Sequence, residues 1–426
     1  MTNFEEHLKK YLSDKEINDL VDSFSYPEQK GILLNEKKMS KSTLLNLFSN
    51  LKEHPVIPNA YLYNENEYKM GKKIYHELGA YYIQDPSAML VSYFLGKQTN
   101  KKILDLCAAP GGKTIGASLL SNDTGIIYSN DISFSRSQAL LSNIERMGLG
   151  NVVVLSKDFS KYGDKLNEYF DAIILDAPCS GSGMFRKSNE MLKDWTYEKV
   201  LKYAAIQKEL ILMAYKMLKP GGTLMYSTCS YSYEEDEEII DYLLSKTSAK
   251  LQEIEHFEGE YRSNKFPETV HLFSSHFKGE GQYIAKIIKP GKLLKNKPSE
   301  ILINRKKISK GNAPEIETFK INMEPNQSLI ADSIRPGLLI EKKIGKDIVY
   351  SHHYSHYKDA SKSIELTKEE VIKFMHGESL KKDTANGYLF VSYLGMNIGV
   401  THAINGELKN LYPKGLRINA RIDDSF

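Results

Sequence analysis

The chain has 426 residues, of which 26% are charged, 10% aromatic and 41% in the hydrophobic set. This is ample for two to four folded domains, and excludes both a small disulfide-stapled module and a disordered polypeptide. Lys plus Arg is 57 and Asp plus Glu 54, a net +3, so overall charge names no partner.

The polar N-terminus MTNFEEHLKKYLSDKEI carries no apolar leader segment, and no apolar run approaches the ~20 residues of a membrane span. A cytoplasmic protein without a membrane partner is expected. Residues 1 to about 75 open with helical spacing at Phe4, Leu8, Leu12, Ile17, Leu20, Val21 and Phe24. Tyr26-Pro27 ends that run, Gly31–Leu34 reads as a short strand, and Lys41–Leu45 restarts a helix. A small leading domain fits.

From about 76 to 290 the pattern becomes KKILDL, TGIIYSND, NVVVLSKD, FDAIILDAP, GGTLMYSTCS and GQYIAKII, separated by helical stretches. Near-continuous apolar strands with helical crossovers predict an α/β domain whose parallel sheet is buried on both faces. Its ligand should lie beyond the strand C-termini.

Residues 291–360 read as a basic linker or intermediate domain. Between Lys289 and Lys310 stand Lys289, Lys292, Lys295, Lys297, Arg305, Lys306, Lys307 and Lys310 against the single acid Glu300. Charge alone leaves open a solvated linker or a phosphate contact. His352, His353 and His356 lack a diagnostic metal spacing, and no metal is expected. Residues 361–426 hold a helical stretch, LTKEEVIKFMHGE, then a β-rich module with turn signals at Gly387, Gly395 and Asn405-Gly406.

The chemistry concentrates in three segments. In Ile103–Thr114, a strand enters the turn Cys107-Ala108-Ala109-Pro110-Gly111-Gly112-Lys113 and then an apolar helix. Small residues let a ligand approach the backbone, and the helix N-terminus offers free N–H groups. A triphosphate-binding loop needs glycine where Cys107 stands, and the dinucleotide glycine fingerprint is absent.

An adenosine-type ligand remains. Asp131 can accept hydrogen bonds from ribose hydroxyls, and Asp158 lies within reach of an adenine amino group. Each acid alone would equally serve as a turn or helix cap, but Asp131, Asp158 and Asp176 end three successive strands and face one crevice.

The other segments are Asp176–Lys187, DAPCSGSGMFRK, and Tyr226–Ser230, YSTCS. Both place a cysteine at the carboxyl edge of the sheet. Cys179 or Cys229 alone would read as a small buried hydrophobe. Two thiols with a carboxylate and an ammonium also suit attack on an electron-poor ring followed by elimination. With Cys107 the cysteines number three, an odd count without metal or disulfide spacing.

CAAPGGKT, DAPCSGSGMFRK and STCS, with GAYYIQDPSAM, HFKGEGQYIAK, IRPGL and NGELKNLYPKGLR, closely resemble the Nol/Nop/Sun family of RNA cytosine-C5 methyltransferases, within it the bacterial branch acting on 16S ribosomal RNA. The resemblance spans essentially the whole chain.

It implies a Rossmann-like class I core using S-adenosyl-L-methionine, a small N-terminal α+β RNA-binding domain at 1–75 and a C-terminal PUA-like RNA-binding domain at 361–426. It also implies that Cys229 adds to C6 of the cytosine, that Cys179 assists release, and that Asp176 and Lys113 support the base. Cys107, Ala108, Ala109, Pro110, Gly111, Gly112, Lys113, Asp131, Asp158 and Asp176 would line the cofactor site.

The expected partner is 16S rRNA or the small subunit, with no DNA, and the protein a monomer. The alternatives are a transfer-RNA methyltransferase and a catalytically silent assembly factor. The family more often has Glu where Ser182 stands, and the closing module departs from a Trp-bearing version.

Overall fold

The computed structural model describes residues 3–187, 189–307, 314–358 and 362–417. Lys310 and residues 418–426 lie outside them, and with them part of the basic stretch and the end of the closing module.

The leading helices are specified locally. Ser13 and Glu16 form a reciprocal cap before the helix Asp14–Ser23, whose Ile17 and Leu20 are buried. They pack in one cluster with Phe4, Leu8, Phe185, Trp195 and Tyr231, so the leading helices bear directly on the loops that carry the cysteines.

The four-stranded sheet that follows includes Lys30–Leu34 and closes with Tyr81–Gln84. The expected boundary at 75 therefore cuts through this unit. Its last strand pairs antiparallel with Lys30–Leu34, a partnership separated by about fifty residues of sequence that no local pattern reveals.

The central sheet runs Lys250–Gln252, Gln282–Ile288, Leu218–Thr228, Phe170–Asp176, Lys102–Asp105, Ile126–Asn130 and Val152–Leu155, with Val270–Leu272 paired beside Gln282–Ile288. Five of these strands are parallel and buried throughout their centres, as their unbroken apolar runs require.

The expectation of an all-parallel sheet fails at one edge. Gln282–Ile288 runs antiparallel to Leu218–Thr228, and Lys250–Gln252 and Val270–Leu272 run antiparallel to it in turn. An apolar run fixes burial and not direction. Chain order reverses between Lys102–Asp105 and Phe170–Asp176, so a crevice opens beyond those two strands.

Of the two readings of residues 291–360, the described residues from 301 onward fit an intermediate domain. Ile301–Lys307, Glu315–Ile321, Leu338–Ile344 and Asp347–Tyr350 form an antiparallel sheet, and Ile321, Met323, Leu329 and Ile330 join the core of the central sheet. Part of the basic charge is spent internally: Arg305 and Lys307 both pair with buried Glu317, and Lys289 pairs with Glu168. Lys292, Lys295, Lys297 and Lys306 remain exposed.

The C-terminal sheet packs Val391, Ile398, Ala403 and Leu408 against the helix Lys368–His376. Its hairpins turn at Leu394-Gly395 and Asn405-Gly406.

Candidate active site

Asp105 ends its strand, and residues 106–111 turn the chain into the helix Gly112–Leu120. Lys113, in the first turn of that helix, reaches across the crevice and places Nζ 2.8 Å from Asp176 Oδ2. Asp176, the last residue of the neighbouring strand, also accepts hydrogen bonds at Oδ1 from Ser227 Oγ (2.6 Å) and Gln282 Nε2 (3.2 Å). Burial alone would depress the Lys113 ammonium, but Asp176, Asp105 and Cys229 overcome it and hold its pKa above the usual lysine value.

Two thiols meet beside this pair, with Cys179 Sγ and Cys229 Sγ 3.2 Å apart. Cys179 keeps its proton: hydrogen bonding to Cys229, burial and the nearby Glu235 carboxylate all push its thiol well above the ordinary range.

The loops that carry the thiols are fastened together by Glu235, which is fully buried. Its Oε1 accepts from Ser180 N (2.8 Å) and Gln207 Nε2 (3.1 Å), and its Oε2 from Ser180 Oγ and from Ser230 Oγ (2.6 Å). Ser180 and Ser230 each follow a cysteine, so one carboxylate sets the spacing of both.

Gly183 brings the loops closer still. A Cβ there would stand 2.7 Å from Gly281 Cα and 2.8 Å from the Cys229 carbonyl oxygen. Ser182, where the family more often has Glu, is buried and accepts a 2.8 Å hydrogen bond from Tyr231 N.

Arg186 lies against Glu280 in a nearly fully buried pair (2.9 Å) and donates to Gly279 O (2.7 Å). Glu280 N donates to Asp85, which caps the helix Pro86–Leu95. Segments from three distant parts of the chain thus frame one crevice.

Behind Cys229, Thr228 Oγ1 donates to Asp236 Oδ1 at 2.6 Å. Burial, then Glu237, keeps the Asp236 carboxyl protonated well above its usual range. Asp236, Glu237 and His271 converge in the interior, with His271 Nε2 already 2.8 Å from Glu237. The sequence alone does not reveal Asp236 and Glu237 as interior groups, because EEDEE reads as a solvated helix start. The structure buries Glu234, Glu235, Asp236 and Glu237. The available signal is the serine-rich STCSYSY directly before the acidic run, which supplies hydroxyl donors for carboxylates.

The other side of the crevice suits an adenosine-bearing ligand. Asp131 is 2% exposed, yet its Oδ2 has no hydrogen-bond partner, although Arg136 Nη1 lies 3.2 Å away. Asp105 Oδ1 is likewise buried and unpartnered. Burial raises the Asp105 carboxyl to about 7, against the pull of the Thr114 hydroxyl and Lys113. Two buried carboxylate oxygens that accept no hydrogen bond, at adjacent strand ends, suit donors such as hydroxyl and amino groups. Asp158 differs: half-exposed, it caps the next helical turn by accepting from Ser160 N and Oγ. Cys107 sits in the turn among Asp105, Asp176 and Asp131, and burial drives its thiol up.

The family description "16S rRNA methyltransferase RsmB/F" matches residues 92–288, "N-terminal domain of 16S rRNA methyltransferase RsmF" residues 2–86, and "Methyltransferase RsmF PUA domain" residues 361–418. The ribosomal RNA small subunit methyltransferase F of Vibrio campbellii is 30% identical, covering 94% of each chain. The chain belongs to the RsmB/F family of methyltransferases.

Another relative in this family, ribosomal RNA small subunit methyltransferase F of Aeromonas hydrophila, is 32% identical over 82% of this chain and 81% of its own. A methyltransferase homologue from Pyrococcus horikoshii superposes with a TM-score of 0.60 at 27% identity, covering 67% of this chain and 94% of that one. NSun6 from the same organism gives a TM-score of 0.62 at 22% identity, over 68% and 99%, which shows the shared fold. The core is a Rossmann-like methyltransferase fold flanked by the family's N-terminal and PUA domains, and the family's methyl donor is S-adenosylmethionine. Among the described residues no helix is long and apolar enough to cross a membrane.

Proposed function

We propose that this protein methylates C5 of cytosine in 16S ribosomal RNA, acting as a cytoplasmic monomer on the rRNA or the small subunit. The observation that carries the reading is the pair of thiols 3.2 Å apart beside the Lys113–Asp176 ion pair, at the edge of a cofactor crevice.

C5 of cytosine is a poor nucleophile until something adds to C6. Cys229 Sγ attacks C6, and the electron pair released into the ring makes C5 nucleophilic. Asp176, braced by Ser227, Gln282 and Lys113, hydrogen-bonds the polar edge of the base and supports the protonated ring. S-adenosylmethionine supplies the methyl group. The C5 proton is then lost and the Cys229–C6 bond breaks, restoring the aromatic ring. A water takes the C5 proton, and Cys179, kept as a thiol, assists by hydrogen-bonding the departing Cys229 sulfur directly or through that water.

Asp131 and Asp105 take the polar groups of the donor, with the turn from Cys107 to Gly112 against it and Asp158 at the rim. C6 is inaccessible in a stacked helix, so the cytosine must be flipped or unpaired, at a cost of a few kcal/mol. Holding folded RNA while one base is captured gives the flanking domains their purpose.

Bisulfite sequencing of total RNA from a strain lacking the gene, beside its parent, tests this. Loss of protection at one or a few 16S cytosines is expected. Loss confined to transfer RNA keeps the chemistry and overturns the substrate; no loss anywhere overturns the activity.

A further inference from the structure

The C-terminal sheet hides its apolar residues on one face and displays aromatic rings on the other. On the strand Gly387–Tyr393, Val391 is fully buried, whereas Tyr388 and Phe390 alternate onto the opposite, half-exposed face. His402 lies opposite Tyr388 in register, and the two rings stack at 4.4 Å and 12°. Lys409, exposed on the next strand, lies opposite His402. Tyr388, His402 and Lys409 therefore form one row across three strands.

The row continues onto the neighbouring sheet. Tyr350, 37% exposed, stands 6.5 Å from Tyr388 and 5.9 Å from Phe390, and Tyr354 stands 6.2 Å from each of Tyr350 and Phe390. At that end Lys358 Nζ sits 4.8 Å over the Tyr354 ring. Among the described residues neither Lys358 nor Lys409 joins an ion pair.

A strip of aromatic rings bounded by a lysine at each end matches a short single strand of nucleic acid. Bases stack on the rings irrespective of identity, and the lysines meet the phosphates. A duplex hides its base faces and offers nothing to the rings. We infer that Tyr350, Tyr354, Tyr388, Phe390 and His402 form a stacking surface for unpaired nucleotides of the RNA substrate, outside the catalytic crevice. This inference rests on the RNA-methyltransferase reading.

The test uses the full chain, a fluorescein-labelled single-stranded RNA dodecamer and the matching duplex, with binding read by anisotropy at fixed salt. Tyr388→Ala combined with Tyr350→Ala should weaken single-strand binding about tenfold or more, as expected for lost base–aromatic stacking, and leave duplex binding unchanged. Tyr388→Phe, which keeps the ring, should bind within about twofold of the parent. In methyl transfer to 16S rRNA the double variant should raise KM at unchanged kcat.

Unchanged single-strand affinity in the double variant overturns the inference, as does unchanged RNA affinity with lost binding to the assembled subunit, which would place a protein on this face. Failure of the parent protein to methylate rRNA would instead strike the activity, and the anisotropy comparison would still judge the surface.

Discussion

Lys113 Nζ stands 2.8 Å from Asp176 Oδ2, joining the first turn of one helix to the end of the adjacent strand across the crevice. The pair leaves Asp176 Oδ1 to Ser227 and Gln282, so the carboxylate is held from three sides. Asp176→Asn keeps the shape and removes the charge. It should lower kcat by about 100-fold or more, the scale of a lost proton-handling group, while the protein stays folded by circular dichroism. A kcat within threefold of the parent would remove Asp176 from the chemistry.

Glu235, fully buried among Ser180, Ser230 and Gln207, acts as a positioning residue. Glu235→Ala strands the Ser180, Ser230 and Gln207 donors in the interior, and at about 1–3 kcal/mol per buried unsatisfied group the melting temperature should fall by several degrees. Glu235→Gln keeps two acceptor sites at most and should recover part of that loss. Thermal melts and single-turnover methyl transfer together distinguish a loosened cysteine pair from simple unfolding.

Gly183→Ala tests the close approach of the cysteine loops. Its Cβ would meet backbone at 2.7 and 2.8 Å on two sides, and neither neighbour is a flexible side chain. Overpacking of this kind costs about 1–3 kcal/mol. The rate of methyl transfer should drop further than the stability, because one of the displaced atoms is the Cys229 carbonyl oxygen.

Acidification should loosen the seam between the C-terminal units and the core. Burial holds His352 at about 4, and His353 and His356 are also depressed, by burial first and then by one another and by Lys38, with Arg335 and Lys342 also acting on His353. Glu145 faces His353 at 3.1 Å. Their folded pKa values lie below the unfolded one, so the neutral-histidine stability is present above about pH 6.5 and is lost on acidification below it, for His352 as pH falls through about 4. Melting temperatures measured from pH 7.5 down to 4.5 should fall, and His356→Gln should flatten that slope. Parallel curves for the two proteins would exclude the cluster as the cause.

Much of the catalytic core was legible because its signals are local. The runs ending at Asp105, Asn130, Leu155, Asp176 and Thr228 have buried apolar centres, which a doubly covered sheet accommodates. Cys229 directly follows one of those runs and Cys179 comes three residues after another, so their meeting follows from strand adjacency. The antiparallel placement of Gln282–Ile288 was not legible, since nothing in an apolar strand records its direction. Nor was the burial of Glu235 and Asp236, whose partners Ser180, Gln207 and Thr228 come from separate segments. The internal pairing within the Lys-rich stretch was hidden for the same reason: Glu317, which neutralises Arg305 and Lys307, lies on the next strand.

The assignment of roles to the two thiols is the centre of the account, and trapping the protein–RNA intermediate tests it most directly. Cys179→Ala and Cys229→Ala proteins are incubated with 16S rRNA and S-adenosylmethionine, then resolved by denaturing electrophoresis. With Cys179→Ala addition proceeds and release stalls, so a covalent protein–RNA band should accumulate, while Cys229→Ala should give neither the band nor methyl transfer. A band with Cys229→Ala and none with Cys179→Ala would reverse the roles and contradict the mechanism.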